Sequence, residues 1–366
     1  MTVAAYDWKK LTKFCQSAFV GEGVPERHAK LVAESLVQAN LRGVDSHGVV
    51  RMGIYLDRIK AGRMNAHAEP SIVHSQGSVA LVDANNNFGV VGGMKALDIA
   101  LEKAAEHGAA IVGVKRSNHF GTGAFYALQA IDRNFILLVM SNASQTMPPT
   151  GGIRPFIGTN PLAVGVPAGE EQPFLLDMAT SVVARGKIIV AAQKDEPIPE
   201  GWGIDKYGNP TTNAQAALEG SVLPVGGAKG YAISMFIDIL SGVLTGAGYG
   251  KFVNNMYENW EEDQNVGHFF IAVDIGRFLP LAQFKARMDD YIRAIKAEPK
   301  APGVDEIYVP GELEFRLTEH RQKNGIELPL ALAAELAQIG TRYGIRLEDA
   351  LQDERQEGAD LECTAQ

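Results

Sequence analysis

Six polar clusters combine residue types that could do chemistry. The first is Asp45-Ser46-His47-Gly48-Val49-Val50-Arg51. A histidine beside an acid and a hydroxyl can move a proton from a locally fixed orientation, and a guanidinium four residues on can hold an anion. The same residues would also make a capped turn that opens a helix with His47 and Arg51 on one face. The second, Arg116-Ser117-Asn118-His119-Phe120-Gly121-Thr122-Gly123, falls where a buried strand should give way to a helix. Open α/β sheets bind ligands there, on loop amides and helix amino ends. His119 can act on such a ligand or only cap the helix. The third, Ser141 to Pro161, gathers the neutral groups of Asn142, Ser144, Gln145, Thr150, Thr159 and Asn160, which suit the amide and ribose of a cofactor. The fourth puts Asp177 just before Met178-Ala179-Thr180-Ser181, as a site acid or an N-cap. In the fifth, Gly226-Gly227-Ala228-Lys229-Gly230, the lysine can reach a phosphate or carboxylate, and the sixth, Tyr308-Val309-Pro310-Gly311-Glu312, is a turn with an acid.

The elements that must position these residues read as alternating helices and strands. Asp7 to Val20 and the stretch from Pro25 to Gly43 are helical, with apolar residues at helical spacing, a proline opening and a glycine stop. Gly92 to Gly108 reads as a helix, followed by a strand over Ala109 to Arg116, a helix over Gly121 to Arg133 and a strand over Phe135 to Asn142. Two more strands, Leu162 to Pro167 and Phe174 to Met178, precede a helix over Ser181 to Gln193. Ala228 to Thr245 is apolar nearly all round, which predicts a buried helix with Lys229 in its first turn. A strand over His268 to Asp274 and amphipathic helices over Leu281 to Ala297 and Leu330 to Tyr343 complete the pattern, and Lys194 to Asn213 is the longest expected loop. The expected fold is an α/β sheet packed on both faces. It divides into a helical segment (1–80) carrying the Asp45–Arg51 block, an α/β body (81–316), and a C-terminal helix with an acidic tail (317–366).

Composition narrows the function. The 366 residues are 46% hydrophobic and 21% charged, as in a globular protein with a sizeable core. A net charge of −9 argues against a nucleic-acid surface. Much of that charge belongs to 347–366, with seven acids against Arg355, read as a solvated end. Cys15 and Cys363 form no metal-binding spacing and no disulfide framework, so no metal is expected and a reducing, cytoplasmic compartment is. The start is too polar for a signal peptide, and Tyr231 to Gly250 is too broken by Asp238 and four glycines to span a membrane.

Standard nucleotide and hydrolase signatures are missing. Tyr126 stands at the third glycine of a would-be GxGxxG, Gly250-Lys251 lacks the rest of a phosphate loop, and neither HExxH nor GxSxG occurs. Read from the residues, the chain is an α/β enzyme that uses a histidine on a small anionic substrate with a bound cofactor.

The ordered blocks DSHGVVR, SNHFGTGAFYA, PPTGG, IGTNPLAVGVPAG, LLDMATS, GWGIDKYGNPTT, GGAKGYA, DILSGVLTGA and YVPGE resemble the malate/L-lactate dehydrogenase family. These NAD(P)-dependent oxidoreductases are unrelated to the Rossmann type and include sulfolactate and ureidoglycolate dehydrogenases. The resemblance fades after about Arg316. It implies a non-Rossmann mixed sheet, a homodimer with active sites near the subunit interface, and hydride transfer between a nicotinamide cofactor and a small 2-hydroxy or 2-oxo acid such as malate or lactate. A cyclic ketimine reductase is the alternative within the family. Carried over, His47 is the acid/base supported by Ser46 and Asp177, His119 a second catalytic or cofactor-contacting histidine, and Arg51 the substrate carboxylate partner, with Thr159 and Asn160 nearby. Cofactor contacts fall on Ser141, Asn142, Ala143, Ser144, Asp177, Met178, Ala179, Lys229, Pro310, Gly311 and Glu312, with a lean to NAD over NADP. With Ser46 and Asp177 as neighbours, His47 is expected to titrate near working pH, whereas a helix amino end should keep His119 neutral. A cofactor-free carboxylate-binding protein would use Arg51 but has no need of two histidines, Lys229 and the Asp177 turn.

Overall fold

The computed structural model describes residues 4–352. The acidic tail lies outside them from residue 353 on. Seven strands make the main sheet: β1 (Ser71–Gln76), β2 (Val79–Asp83), β3 (Ala109–Ser117), β4 (Phe135–Ser141), β5 (Leu162–Val166), β6 (Phe174–Met178) and β7 (Val266–Asp274). Their spatial order is β1-β2-β3-β7-β4-β5-β6, so the last strand in sequence is inserted at the centre. Only β2 and β3 run parallel; every other pair is antiparallel.

Side chains alternate across a strand, and β7 shows what each face meets. Phe270 turns toward the aromatic rings of Phe120 and Tyr126 in the main core, beneath α4 (Gly89–His107) and α5 (Gly123–Asp132). Phe269 turns the other way, onto Met140 and Ile237 of α8 (Ala228–Asp238). The main core also takes in α1 (Trp8–Gly21), α2 (Glu26–Leu41), α3 (Met52–Lys60) and α11 (Leu330–Arg342), through Phe14, Leu36, Leu56 and Leu336. A satellite core of Val183, Ile188, Ile198, Ala214, Ala217 and Val222 lies under α6 (Arg185–Gln193) and α7 (Ala214–Glu219). Within the expected long loop, two short strands pair and a third, Ser221–Val222, joins them. The exterior helix α9 (Leu281–Lys296) is followed by α10 (Glu312–Asn324).

Three expectations change. The helix expected from Ser181 begins only at Arg185, because Ser181 is held extended in a bridge to Pro224. The turn at Tyr308–Glu312 opens α10, a helix too polar along its length to show an apolar stripe. The helix expected to be buried from Ala228 to Thr245 is α8 followed by a five-residue π turn, Ile239–Val243, and it is buried on one side only. Gly230, Ser234, Ile237 and Ser241 face the protein, whereas Ile233, Phe236, Ile239, Val243 and Leu244 are exposed, and so is Lys229. No helix among the described residues is long and apolar enough to cross a membrane.

Candidate active site

Two one-turn 3-10 helices, Asp45–His47 and Val49–Arg51, lead into α3 and fold the first polar cluster back on itself. Arg51 Nε donates to the Ser46 carbonyl at 2.8 Å, and Ser46 Oγ lies 3.0 Å from His47 Nδ1. One helical turn after Arg51, the buried Tyr55 places its hydroxyl 2.7 Å from Nδ1 of His119. His119 comes from the far side of the site, just beyond the end of β3, where its backbone N–H donates to Gln264 Oε1 at 2.8 Å. The two imidazoles stack with ring centroids 5.3 Å apart and planes 28° from parallel. Both rings are fixed through Nδ1, and neither Nε2 atom has a hydrogen-bond partner among the described residues. The Arg51 guanidinium completes the group and donates to the hydroxyl of Tyr257.

Electrostatics in this cluster favour neutral rings. Burial, then the positive charge of Arg51, pushes His47 down to about 4. His119 is held well below the ordinary histidine range by burial, Arg51, His47 and His268. Burial also raises the Tyr55 phenol, so Tyr55 stays protonated and is able to donate to His119 Nδ1. In the tautomer in which Tyr55 donates to Nδ1, the His119 proton sits on Nε2, where it can be donated to a substrate oxygen. The expectation that His47 titrates near working pH is therefore corrected for the free chain. Among the described residues no carboxylate is hydrogen-bonded to His47, and Arg51 opposes its protonation. His119 is kept neutral mainly by burial, with the charge of Arg51 in support, rather than by a helix amino end.

Asp177 occupies a different place. Its carboxylate accepts from the backbone N–H of Ala124 at 2.8 Å, capping α5. Water reaches it through a cavity, yet the protein packs closely around it and pushes its carboxyl up to about 6, against the pull of the α5 amides and Arg42. The cavity, about 330 Å³, brings Asp177 together with Arg42, Pro310, Gly311 and Glu314.

The other candidate residues divide into two groups. Ser141 is spent inside the sheet on His268 Nδ1 (2.9 Å) and the Asn142 carbonyl. Asn142 joins Asp238, Gly248 and Gly267. Asn160, fully buried, accepts from the Ala143 N–H and donates to the Ser234 carbonyl, so this side chain is a strut and the Ala143 amide is taken. Glu312 binds Lys296 at 2.7 Å and the Val309 N–H. By contrast Ser144, Thr159, Met178 and Ala179 are half-buried, and Lys229 makes no hydrogen bond or ion pair among the described residues.

A nicotinamide dinucleotide fits these uncommitted groups. Gly226 and Gly227 take φ of 60° and 63° with open space over both, directly before Lys229, as a phosphate cradle requires. At the start of α5 the hydroxyl of Thr122 is buried without a partner, three residues after His119.

Comparison with known proteins decides the family. The malate/L-lactate dehydrogenase family model matches residues 6–337. The chain belongs to this family. It is 42% identical to malate dehydrogenase of Pyrococcus abyssi over 88% of this chain and 91% of that protein. It is 34% identical to the NAD(+) ureidoglycolate dehydrogenase of Escherichia coli K12, over 86% and 88%. Among solved structures, malate dehydrogenase from Entamoeba histolytica superposes with a TM-score of 0.90 at 32% identity, over 94% of this chain and 99% of that one. Δ1-piperideine-2-carboxylate reductase from Pseudomonas syringae does so with 0.82 at 28% identity, over 92% and 99%. The chain is thus a dehydrogenase for hydroxy acids with a nicotinamide cofactor.

Within this dehydrogenase the structure adds site residues that the sequence reading missed. Tyr55 carried a signal, since it lies one turn beyond Arg51 and two beyond His47. Tyr257 and Gln264 carried none, being in an irregular loop. Arg42, in that cavity, packs its guanidinium 4.9 Å from the Phe315 ring. A separate cavity of about 760 Å³ lies beside the β3 end of the His119 loop. Its cations Arg63, Arg116 and Lys251 face Glu262 and Asp263, and Arg116 already pairs with Asp83 at 3.1 Å. The charges balance there, so this cavity favours no one class of ligand.

Proposed function

We propose that the enzyme interconverts a small 2-hydroxy acid of malate or lactate type and its 2-oxo acid, as a cytoplasmic homodimer that prefers NAD to NADP. The observation that carries this reading is the pair of stacked imidazoles, neither with a hydrogen-bond partner at Nε2 among the described residues, beside a guanidinium. Arg51 holds the substrate carboxylate. Lys229, the Asp177–Ala179 turn and Pro310–Gly311 hold the cofactor, which supplies or accepts the hydride.

In the oxidative direction neutral His47 takes the hydroxyl proton at Nε2, while His119 donates its Nε2 proton to the same oxygen as a hydrogen bond. Reduction reverses this, with His47 delivering the proton as charge builds on the carbonyl oxygen. A carboxylate paired with Arg51 cancels the charge that depresses His47. Substrate binding therefore raises the basicity of His47 at the moment it is needed.

The decisive experiment is an absorbance screen at the nicotinamide band with both cofactors and a panel of 2-oxo acids. Turnover of at least one acid is expected, faster with NADH, and no oxidation with any acid removes the proposal. Cyclic imines belong in the same panel. The likeness to the piperideine carboxylate reductase favours that second reading, and imine turnover exceeding every keto acid would establish it. The exposed apolar side of α8 supports the homodimer. Light scattering should give twice the chain mass, and a monomer would reject that assembly.

A further inference from the structure

We propose that Arg321 on α10 is a positioning residue for His47, acting through Asp45. This rests on the assignment of His47 as the proton-transfer group. Arg321 donates to both oxygens of Asp45, at 2.8 and 3.1 Å, and also to the backbone carbonyl of Asn40. Its side chain is 18% exposed against 52% for that of Asp45, and it is the two-point grip on the carboxylate plus the bond to the Asn40 carbonyl that sets it apart from a single surface ion pair, which contributes little.

The turn around His47 is pinned at two points. Asn40, buried at the end of α2, donates from Nδ2 to Asp45 at 2.7 Å and accepts from the Val49 N–H at 2.8 Å. Gly48 lies so close to this amide that a Cβ would fall 2.2 Å from Asn40 Oδ1. His47 sits between the two anchor points, and among the described residues its ring is hydrogen-bonded only by the neighbouring Ser46. Ring direction is therefore inherited from the turn. Arg321 clamps the same turn together with Asn40: both donate to Asp45 Oδ1, of the two only Arg321 reaches Oδ2, and its planar fork fixes the carboxylate in a way a point charge cannot.

The helix that carries the clamp also borders the cofactor cavity. Leu313 and Glu314 line it, and Phe315 meets Arg42, whereas Arg321 lies about 14 Å further along the axis from the helix start. One rigid rod thus runs from the cavity wall to the proton-transfer turn.

The test compares wild type, Arg321→Gln, Arg321→Lys, Asp45→Asn and the Gln/Asn double variant, with Arg133→Gln, which breaks the surface pair with Asp98, as control. Arg321→Gln should lower kcat by roughly tenfold to a hundredfold and raise KM for the acid, because Arg51 belongs to the same turn. Cofactor Kd, read from nicotinamide fluorescence, should stay within about twofold, the double variant should be no worse than either single one, and Arg321→Lys should recover only part of the rate. Histidine proton NMR supplies a reading independent of turnover: His47 should titrate closer to the ordinary imidazole value in Arg321→Gln than in wild type. Unchanged kcat with unchanged His47 titration in Arg321→Gln, or simple additivity in the double variant, overturns the proposal. If wild type itself turns over no substrate, the functional reading fails, and the NMR comparison still decides whether Arg321 positions His47. Should Arg321→Gln not fold, Arg321→Lys against wild type gives the same two readings.

Discussion

Around the turn Asp45–Arg51 the chain supplies its own partners: Asn40 and Arg321 for Asp45, Ser46 for His47, Tyr257 for Arg51. Helix α8 is the opposite case. Lys229 has no partner among the described residues, and Ile233, Phe236, Val243 and Leu244 stand exposed along one side. Both regions carry candidate functional cations, yet one finds its partners within the chain and the other finds none among the described residues. Proton transfer needs groups held before substrate arrives, because misplacement by an ångström is costly in rate. A phosphate contact and a subunit contact form on association and can be left open until then.

If the turn is preorganised as its bonding indicates, removing the group it holds should be the most damaging change. His47→Ala should lower kcat by roughly two to four orders of magnitude, with cofactor Kd unaltered in fluorescence titration. His119→Ala should cost less and leave in place the ionisation seen in the pH dependence of kcat. If that ionisation survives His47→Ala and vanishes in His119→Ala, the two roles are exchanged. Next in size is Arg51→Lys. An ammonium cannot pair both carboxylate oxygens at once, so KM for the acid should rise roughly tenfold to a hundredfold with cofactor Kd unchanged. An unchanged KM would remove Arg51 from the substrate.

The same contrast explains what the sequence made legible. The blocks around His47 and His119 are local, each set by a stop or start of one element, and the five strands expected behind them match within a residue or two, whereas β1 and β2, at the end of the stretch expected to be helical, are not expected. The bracing of those blocks is not local. Arg321 belongs to α10, whose run ELEFRLTEHRQKN has no apolar stripe to mark it as a packed helix. Asn142 is expected at the cofactor and Asn160 at the substrate because loops rich in amides look like binding loops. The structure uses those amides to tie loop to sheet, a distinction that depends on partners far away in the chain. For α8, apolar periodicity reported that surface must be covered but could not say whether by this chain or another molecule.

Burial of the histidines has a measurable cost in acid. His268 is fully buried between Ser117 and Ser141, and burial pushes it down to about 3, while His47 lies at about 4. In the unfolded chain a histidine takes up its proton near pH 6.5, so between about pH 6.5 and 4 the unfolded state binds protons that the folded state refuses. Stability must fall as pH falls through that window. For His268 alone the loss by pH 4.5 is roughly 2–3 kcal/mol relative to pH 7. Asp177, raised in the folded chain, acts in the opposite sense. The quantity to measure is therefore the difference in urea-unfolding free energy between pH 7 and 4.5, in wild type and in His268→Gln. The variant should show the smaller acid loss, and an identical loss in both would mean that His268 is not held neutral.

The smallest expected effect tests the open side of the comparison. Lys229 stands at the first turn of α8, just after two glycines with nothing above them, and spends its charge on no protein group among the described residues. An exposed ammonium costs the chain little before association and gains when a phosphate arrives, so its contribution should appear in cofactor affinity alone. Lys229→Met should weaken cofactor binding by about tenfold while KM for the acid, measured at saturating cofactor, changes by less than about twofold. Because the contact is ionic and solvent-exposed, cofactor affinity of wild type should also fall as salt is raised, with a shallower dependence in the variant. Equal losses in cofactor and acid binding, with no change in the salt dependence, would assign Lys229 to holding α8 in place and leave the cradle without its cation.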